Sequence, residues 1–189
     1  MFLFNRPSMQ EVERFLAESR ELPLSYGSEG LIEETRAGFV VDELVTIVGR
    51  GEAAYRRAAA ALTEWRHFEL GWVELFPKRA STSPGTVVAV LIKHLGFWSL
   101  NGCRVVESAG RREGLEYGFV YGTLANHAEC GEELFQVSYR PETGDVLYRI
   151  RAVSKPRAAL ARLGSPIVRS LQARFRHDSS RALRQAIAD

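Results

Sequence analysis

The sequence predicts an α+β domain in which a run of antiparallel strands is followed by a long amphipathic helix. Three observations predict it. From Gly85 onward, segments rich in β-branched and aromatic residues recur with turn chemistry between them. These segments are close neighbours in sequence, which favours antiparallel pairing because parallel pairing needs a crossover connection. Near the C-terminus, Ile167, Leu171, Phe175, Ala182 and Ala186 fall largely on one helical face while most arginines fall elsewhere.

Taken in order, Ser8 with Glu11 three residues on forms a capping-box pattern that opens a helix over Met9–Ser19. Val12, Phe15 and Leu16 share one face of it. Pro23 and the Gly27-Ser28-Glu29-Gly30 cluster end that helix and make a loop. Phe39–Val48 is strand-like, and Gly49-Arg50-Gly51 breaks it. A second helix is expected over Glu52–His67, with Tyr55, Ala58, Leu62 and Trp65 as its apolar stripe. Leu70–Phe76 reads as a short strand ending at Pro77, and Lys78–Pro84 as loop.

Strands are then expected over Thr86–Lys93, Phe97–Glu107, Leu115–Leu124, Glu132–Tyr139 and Asp145–Ser154. The Pro141-to-Asp145 stretch makes a good hairpin connection. Pro156–Leu163 begins helical, Gly164-Ser165-Pro166 interrupts, and the long helix runs over Ile167–Ile187. Residues 1–35 are expected to be a helical extension packing on the main body, residues 36–189 the main domain.

Composition sets bounds. At 189 residues the chain suits one domain, and 46% hydrophobic content with ten phenylalanines supplies a core. The longest apolar runs, such as Val87–Ile92, fall far short of the ~20 residues that span a bilayer. The N-terminal residues lack the basic-then-apolar order of a signal peptide. Cys103 and Cys130 give neither a disulfide framework nor a four-ligand zinc set. A cytoplasmic protein with reduced thiols, without metal or cofactor, is expected. The net charge of +2 is unevenly spread: from Lys155 onward eight basic residues face two acids, a net +6 that leaves −4 for the rest. Such asymmetry can mark an anionic partner, although a solvated terminal helix is the plainer reading.

Gly49-Arg50-Gly51-Glu52-Ala53-Ala54 matches the Gly-x-Gly-x-x-Ala dinucleotide fingerprint, yet the parallel βαβ context it needs does not follow. Tight-turn packing is the better explanation. Trp65, Phe68 and Trp72 space large rings at three- and four-residue steps, as core or as pocket wall. His127, Glu129 and Cys130 are metal-ligand or nucleophile types, but nothing nearby completes a site.

Glu132 and Glu133 are adjacent, so in a strand they point to opposite faces. Glu133 shares its face with Phe135, Val137 and Tyr139; if that face is interior, the carboxylate needs a partner, with Arg104, Arg149 or Arg151 as candidates. On the preceding strand Gly118 and Gly122 share one face, which permits close approach, and Tyr117, Phe119 and Tyr121 share the other.

Several segments carry a family resemblance. They are Gly49-x-Gly51 with Ala58, Leu62 and Trp65; Phe68-x-x-Gly71-Trp72; Pro84-Gly85; and Cys103-Arg104-Val105-Val106. They continue through Gly118-Phe119-x-Tyr121-Gly122-Thr123-Leu124-x-x-His127, Gly131-Glu132-Glu133-x-Phe135 and Ser154-x-Pro156 to Pro166 and Gln172. On these the chain resembles a family of bacteria and plants called domain of unknown function nineteen-ninety. Lys155 stands where an arginine is expected, and Cys130 lies outside the motif. The resemblance implies a START-like helix-grip architecture, similar to pollen allergens, in which a curved antiparallel sheet wraps the last helix around a cavity for apolar ligands. Fold alone does not fix function.

The leading expectation is non-enzymatic binding of a small hydrophobic or amphipathic molecule in that cavity. Trp65, Trp72, Tyr117, Phe119, Tyr121, Phe135 and Phe175 would be its walls, and His127 and Glu133 its polar anchors. The second is an enzyme on an apolar substrate, using His127 and Glu133 (or Glu132) as acid–base groups. The third is an interaction module whose basic C-terminal helix meets anionic lipid or nucleic acid, and it ranks last.

Overall fold

The structure, a computed structural model, describes residues 2–94, 96–110, 114–156 and 165–188. Eight strands form one antiparallel sheet: β1 (Phe2–Leu3), β2 (Val40–Arg50), β3 (Val73–Phe76), β4 (Val87–His94), β5 (Phe97–Gly110), β6 (Glu116–Thr123), β7 (Glu129–Arg140) and β8 (Asp145–Pro156). Their order is β2-β8-β7-β6-β5-β4-β3, every pair antiparallel. Strand β6 reaches only Cys103 of β5, and β1 takes the free edge beyond it, pairing Phe2 with Ser99. The described helices are α1 (Met9–Ser19), α2 (Glu52–Thr63) and α3 (Ser165–Ala188), with a 3-10 turn at Arg66–Phe68. The sheet is curved and grips α3, the helix-grip form of an α+β fold. The expected helical start within 156–163 falls at Pro156 on the end of β8; residues 157–163 lie outside those described.

Local chemistry accounts for the boundaries. The Glu11 N–H donates to Ser8 Oγ and the Ser8 N–H to Glu11 Oε2, so the capping box sets the start of α1. Helix α2 stops at Thr63, short of the expected His67, because Trp65 adopts a left-handed φ of 59°. That reversal buries the indole and lets its N–H reach the Ala80 carbonyl at 3.0 Å.

The false dinucleotide fingerprint turns out to be packing. Gly51 needs its φ of +81° to turn from β2 into α2, and a Cβ on Gly49 would sit 3.1 Å from that of Ala54.

The main core lies on the concave face. Tyr55, Ala58 and Leu62 of α2 and Leu183 and Ile187 of α3 pack there against Phe119, Phe135, Val137, Tyr148 and Ile150. The apolar stripe of α3 therefore drifts by one residue from the expected one: it runs through Leu171, Phe175, Ser179, Leu183 and Ile187. Each four-residue step exceeds a 3.6-residue turn, so the stripe winds round α3 instead of running straight, and Ala186 stays packed at its edge.

The convex face is covered in two places. Val12 and Phe15 of α1 rest on Phe76, Ala89, Leu91 and Leu100. Further along, Tyr26 and Leu31 rest on Cys130 and Val153. This second strap is fixed by Glu132, which accepts from the N–H groups of Gly30 (2.9 Å) and Ile32 (3.0 Å). Arg36 closes it by donating to the carbonyls of Tyr26, Ser28 and Glu29. The close approach expected at Gly122 is made here, since a Cβ on it would run into Tyr26 Oη.

Candidate functional site

Between the open end of the sheet and the N-terminal half of α3 lies a cavity of about 550 Å³, within the ~300–1,000 Å³ typical of small-molecule sites. Its wall has two characters. Phe68, Trp72, Val73, Val90, Ile92, Leu171 and Phe175 make an apolar side. Opposite them the inward positions of β5 to β8 bring Asn101, Tyr121, Thr123, Glu133 and Ser154, joined by Gln172 and Arg176 of α3. Phe2, Phe4 and Phe97 form the rim, and Phe4 is 92% exposed.

Of the residues expected to contact ligand, Trp72, Tyr121, His127, Glu133 and Phe175 lie on this wall. Trp65, Tyr117, Phe119 and Phe135 do not; they form packed core beyond the cavity's closed end. Phe119 sits 4.5 Å from Trp65 and 5.5 Å from Phe135, ring centre to ring centre. The Tyr117 hydroxyl is engaged with Thr82 Oγ1 at 2.8 Å. Strand alternation predicts that these rings face inward but not how deep along the strand the space ends.

The rim residues Phe2 and Phe4 escape sequence reasoning because a two-residue strand has no period to detect. His67 escapes it too. Its ring is completely buried, 4.8 Å from that of Phe135, and burial pushes its pKa down to about 3. It is a neutral core imidazole behind the wall.

Glu133 is the chemical centre of the site. The Tyr121 hydroxyl, on the neighbouring strand, donates to its Oε2 at 2.8 Å. The expected arginine partners are all elsewhere. Arg104 donates to the Arg20 and Leu22 carbonyls, while Arg149 and Arg151 meet Glu43. They are elsewhere because all three occupy the opposite face of their strands.

Burial raises the Glu133 carboxyl to about 7, against the partial opposition of the Tyr121 hydrogen bond and the Arg176 charge. Arg176 reaches Asp42 at 3.4 Å. Titratable groups therefore meet Glu133 from every side: Tyr121 on β6, Cys103 on β5, Tyr148 on β8, Asp42 on β2 and Arg176 on α3.

The Glu129 N–H donates to His127 Nδ1 at 2.8 Å, and the Glu129 carbonyl lies 3.2 Å from the same nitrogen. Glu129 also lines the cavity. Its carboxyl is raised, chiefly by burial, and Oε1 is buried without a hydrogen-bond partner. Glu132 also borders the cavity, but its carboxylate points to the convex face, where it accepts from the strap's Gly30 and Ile32 N–H groups. Cys130 lies on that face too, its thiol directed at the Ser25 carbonyl. Among the described residues no group of three His, Cys, Asp or Glu side chains could hold a metal ion, and no helix is long and apolar enough to cross a membrane.

The family model described as domain of unknown function (DUF1990) matches residues 25–182. A UPF0548 protein of Dictyostelium discoideum is 30% identical over 99% of this chain and 96% of its own length. One of Deinococcus radiodurans is 32% identical over 98% of both. The chain belongs to this family. Among solved structures, it resembles TTHA0849 of Thermus thermophilus with a TM-score of 0.52 and 14% identity, over 79% of this chain and 97% of that one. Ara h 8.0201 gives 0.52 at 12% identity, over 80% and 99%. The Zhui aromatase/cyclase of Streptomyces sp. R1128 gives 0.52 at 12%, over 79% and 94%. Likeness at such identities shows the fold alone.

Proposed function

We propose that this member of the DUF1990 family binds a small amphipathic molecule in the cavity between sheet and α3. The observation that carries this is a two-sided wall, apolar along β3, β4 and α3, with the Tyr121–Glu133 pair opposite, Tyr121 buried and Glu133 half-buried. Burying an apolar body against one side and satisfying a few polar groups on the other is how small-molecule sites gain affinity and orientation. Native mass spectrometry of freshly purified protein tests it, together with binding of a neutral apolar dye to the stripped protein. Ala152 lies on the wall, so Ala152→Phe should exclude both. Failure to find a co-purified molecule together with no dye uptake overturns the proposal, as does uptake that Ala152→Phe leaves unchanged.

A second reading, acid–base catalysis on an apolar substrate, is favoured by one observation. Glu133, with its carboxyl near neutrality, and His127 line the same cavity. If this holds, the wild-type protein in D₂O exchanges acidic C–H positions of its recovered ligand and Glu133→Gln does not; equal exchange by both removes it.

The basic-helix reading stays last, because several of the helix's arginines are engaged within the chain. Arg176 pairs with Asp42, Arg174 and Arg181 with Asp178, and Arg184 with Thr46 and the Ile47 carbonyl.

A further inference from the structure

The charges on the cavity wall are unequal. Glu129 and Glu133 are carboxylates on the wall, and among the described residues neither has a cation within salt-bridge distance. The one arginine of the described wall, Arg176, is balanced by Asp42, and the described wall holds no lysine. Exposed Arg169 acts on Glu129 only through its field. His94 is held toward its neutral form by burial, and His127 Nδ1 is already engaged by the Glu129 N–H.

We propose that the cavity selects an amphipathic ligand with a cationic amine head over neutral or anionic molecules with the same tail. This deepens the ligand-binding proposal and rests on it.

The physical reason is the state of the two carboxylates. A carboxylate withdrawn from water without a cation or a full set of donors is costly. Tyr121 supplies one donor to Glu133, and Ser154 one to the Glu129 carboxylate, whose Oε1 has none. An alkylammonium brings up to three N–H donors and a positive charge that can pair directly with a carboxylate, and among the described residues no wall cation is paired with Glu129 or Glu133. A fatty carboxylate would instead add a third negative charge to an apolar enclosure. An alcohol could donate a single hydrogen bond and no charge. The tail would lie along Phe68, Trp72, Ile92 and Phe175.

The experiment is competition against a neutral apolar dye by decylamine, decanol and decanoate, each below its micelle concentration, at pH 7.5. Charge-assisted bonds are roughly twice as strong as neutral ones, so decylamine should bind at least ~10-fold more tightly than decanol, with decanoate weakest. Glu133→Gln keeps an acceptor for Tyr121 and should lose most of the amine-over-decanol preference; Glu129→Gln should lose a smaller part. Thermal unfolding of each variant checks that it is folded. Equal binding of the three tails overturns the selectivity and leaves the cavity as a binding site. So does an amine preference that survives the double variant. Dye uptake with displacement by none of the three overturns this proposal and leaves the cavity as a binding site, whereas no dye uptake at all overturns the cavity proposal and this one with it.

Discussion

Replacing Glu133 by glutamine isolates the cost of holding a carboxylate in the cavity wall. Its carboxyl stands at about 7, against 4.5 for an ordinary glutamate. A pKa raised on folding means that the native chain binds more protons than the unfolded one between those values, so stability falls as pH rises through that window. At 1.36 kcal/mol per pKa unit, the ionised form costs the fold ~3 kcal/mol, nearly all of it present by pH 8. Glutamine keeps the side-chain length and an oxygen for the Tyr121 hydroxyl but never ionises. Urea unfolding of both proteins from pH 5 to pH 8 therefore gives a difference that should grow by about 2–3 kcal/mol in favour of the variant. Other carboxylates titrate alike in both and cancel. A difference that stays flat with pH would refute the reasoning, because it would mean that water in the cavity hydrates the carboxylate.

Further outcomes follow from the same geometry. Glu132→Ala leaves the Gly30 and Ile32 N–H groups without their acceptor; a loss of about 2–4 kcal/mol is expected in urea, with faster hydrogen exchange confined to residues 24–36. Gly122→Ala drives a methyl group into Tyr26 and should cost ~1–3 kcal/mol by overpacking; an unchanged unfolding midpoint would contradict this. His67, depressed to about 3, has the opposite sign to Glu133: it binds fewer protons folded than unfolded. Wild-type stability should therefore drop relative to His67→Leu by ~1.4 kcal/mol per pH unit below pH 6.5, followed by urea titration. Trp65→Ala should cost ~3–5 kcal/mol, and Phe175→Ala less, since Phe175 is only half-buried and faces open space.

What is legible in the sequence is whatever has a period or a cap. The capping box gives α1 its bounds, and alternation locates the strands from β4 to β8 and puts Glu132 and Glu133 on different faces. Three things are hidden. Trp65 ends α2 because of where its indole must go, and no helix propensity encodes an Ala80 carbonyl fifteen residues away. Alternation also gives the side of a strand but not the depth of a cavity, so it makes Phe119 and Phe135 equivalent to Tyr121, which alone of the three meets open space. Finally, charge pairing points from Glu133 to arginines on the strands, whereas its partner is a tyrosine directly across at β6, with the nearest cation coming from α3.

The adjacent glutamates have one more consequence, for how β7 finds its place. A slip of one residue against β6 and β8 would exchange their sides, sending Glu132 inward and Glu133 outward. The two environments are not interchangeable: one offers a pair of backbone N–H groups to a carboxylate, the other a single phenol in an apolar enclosure. Hydrophobic alternation alone discriminates weakly here, because Leu134 and Phe135 are both buried, on opposite sides. The two acids act as a parity check on strand alignment, and the check is completed only when the N-terminal strap arrives to claim its carboxylate.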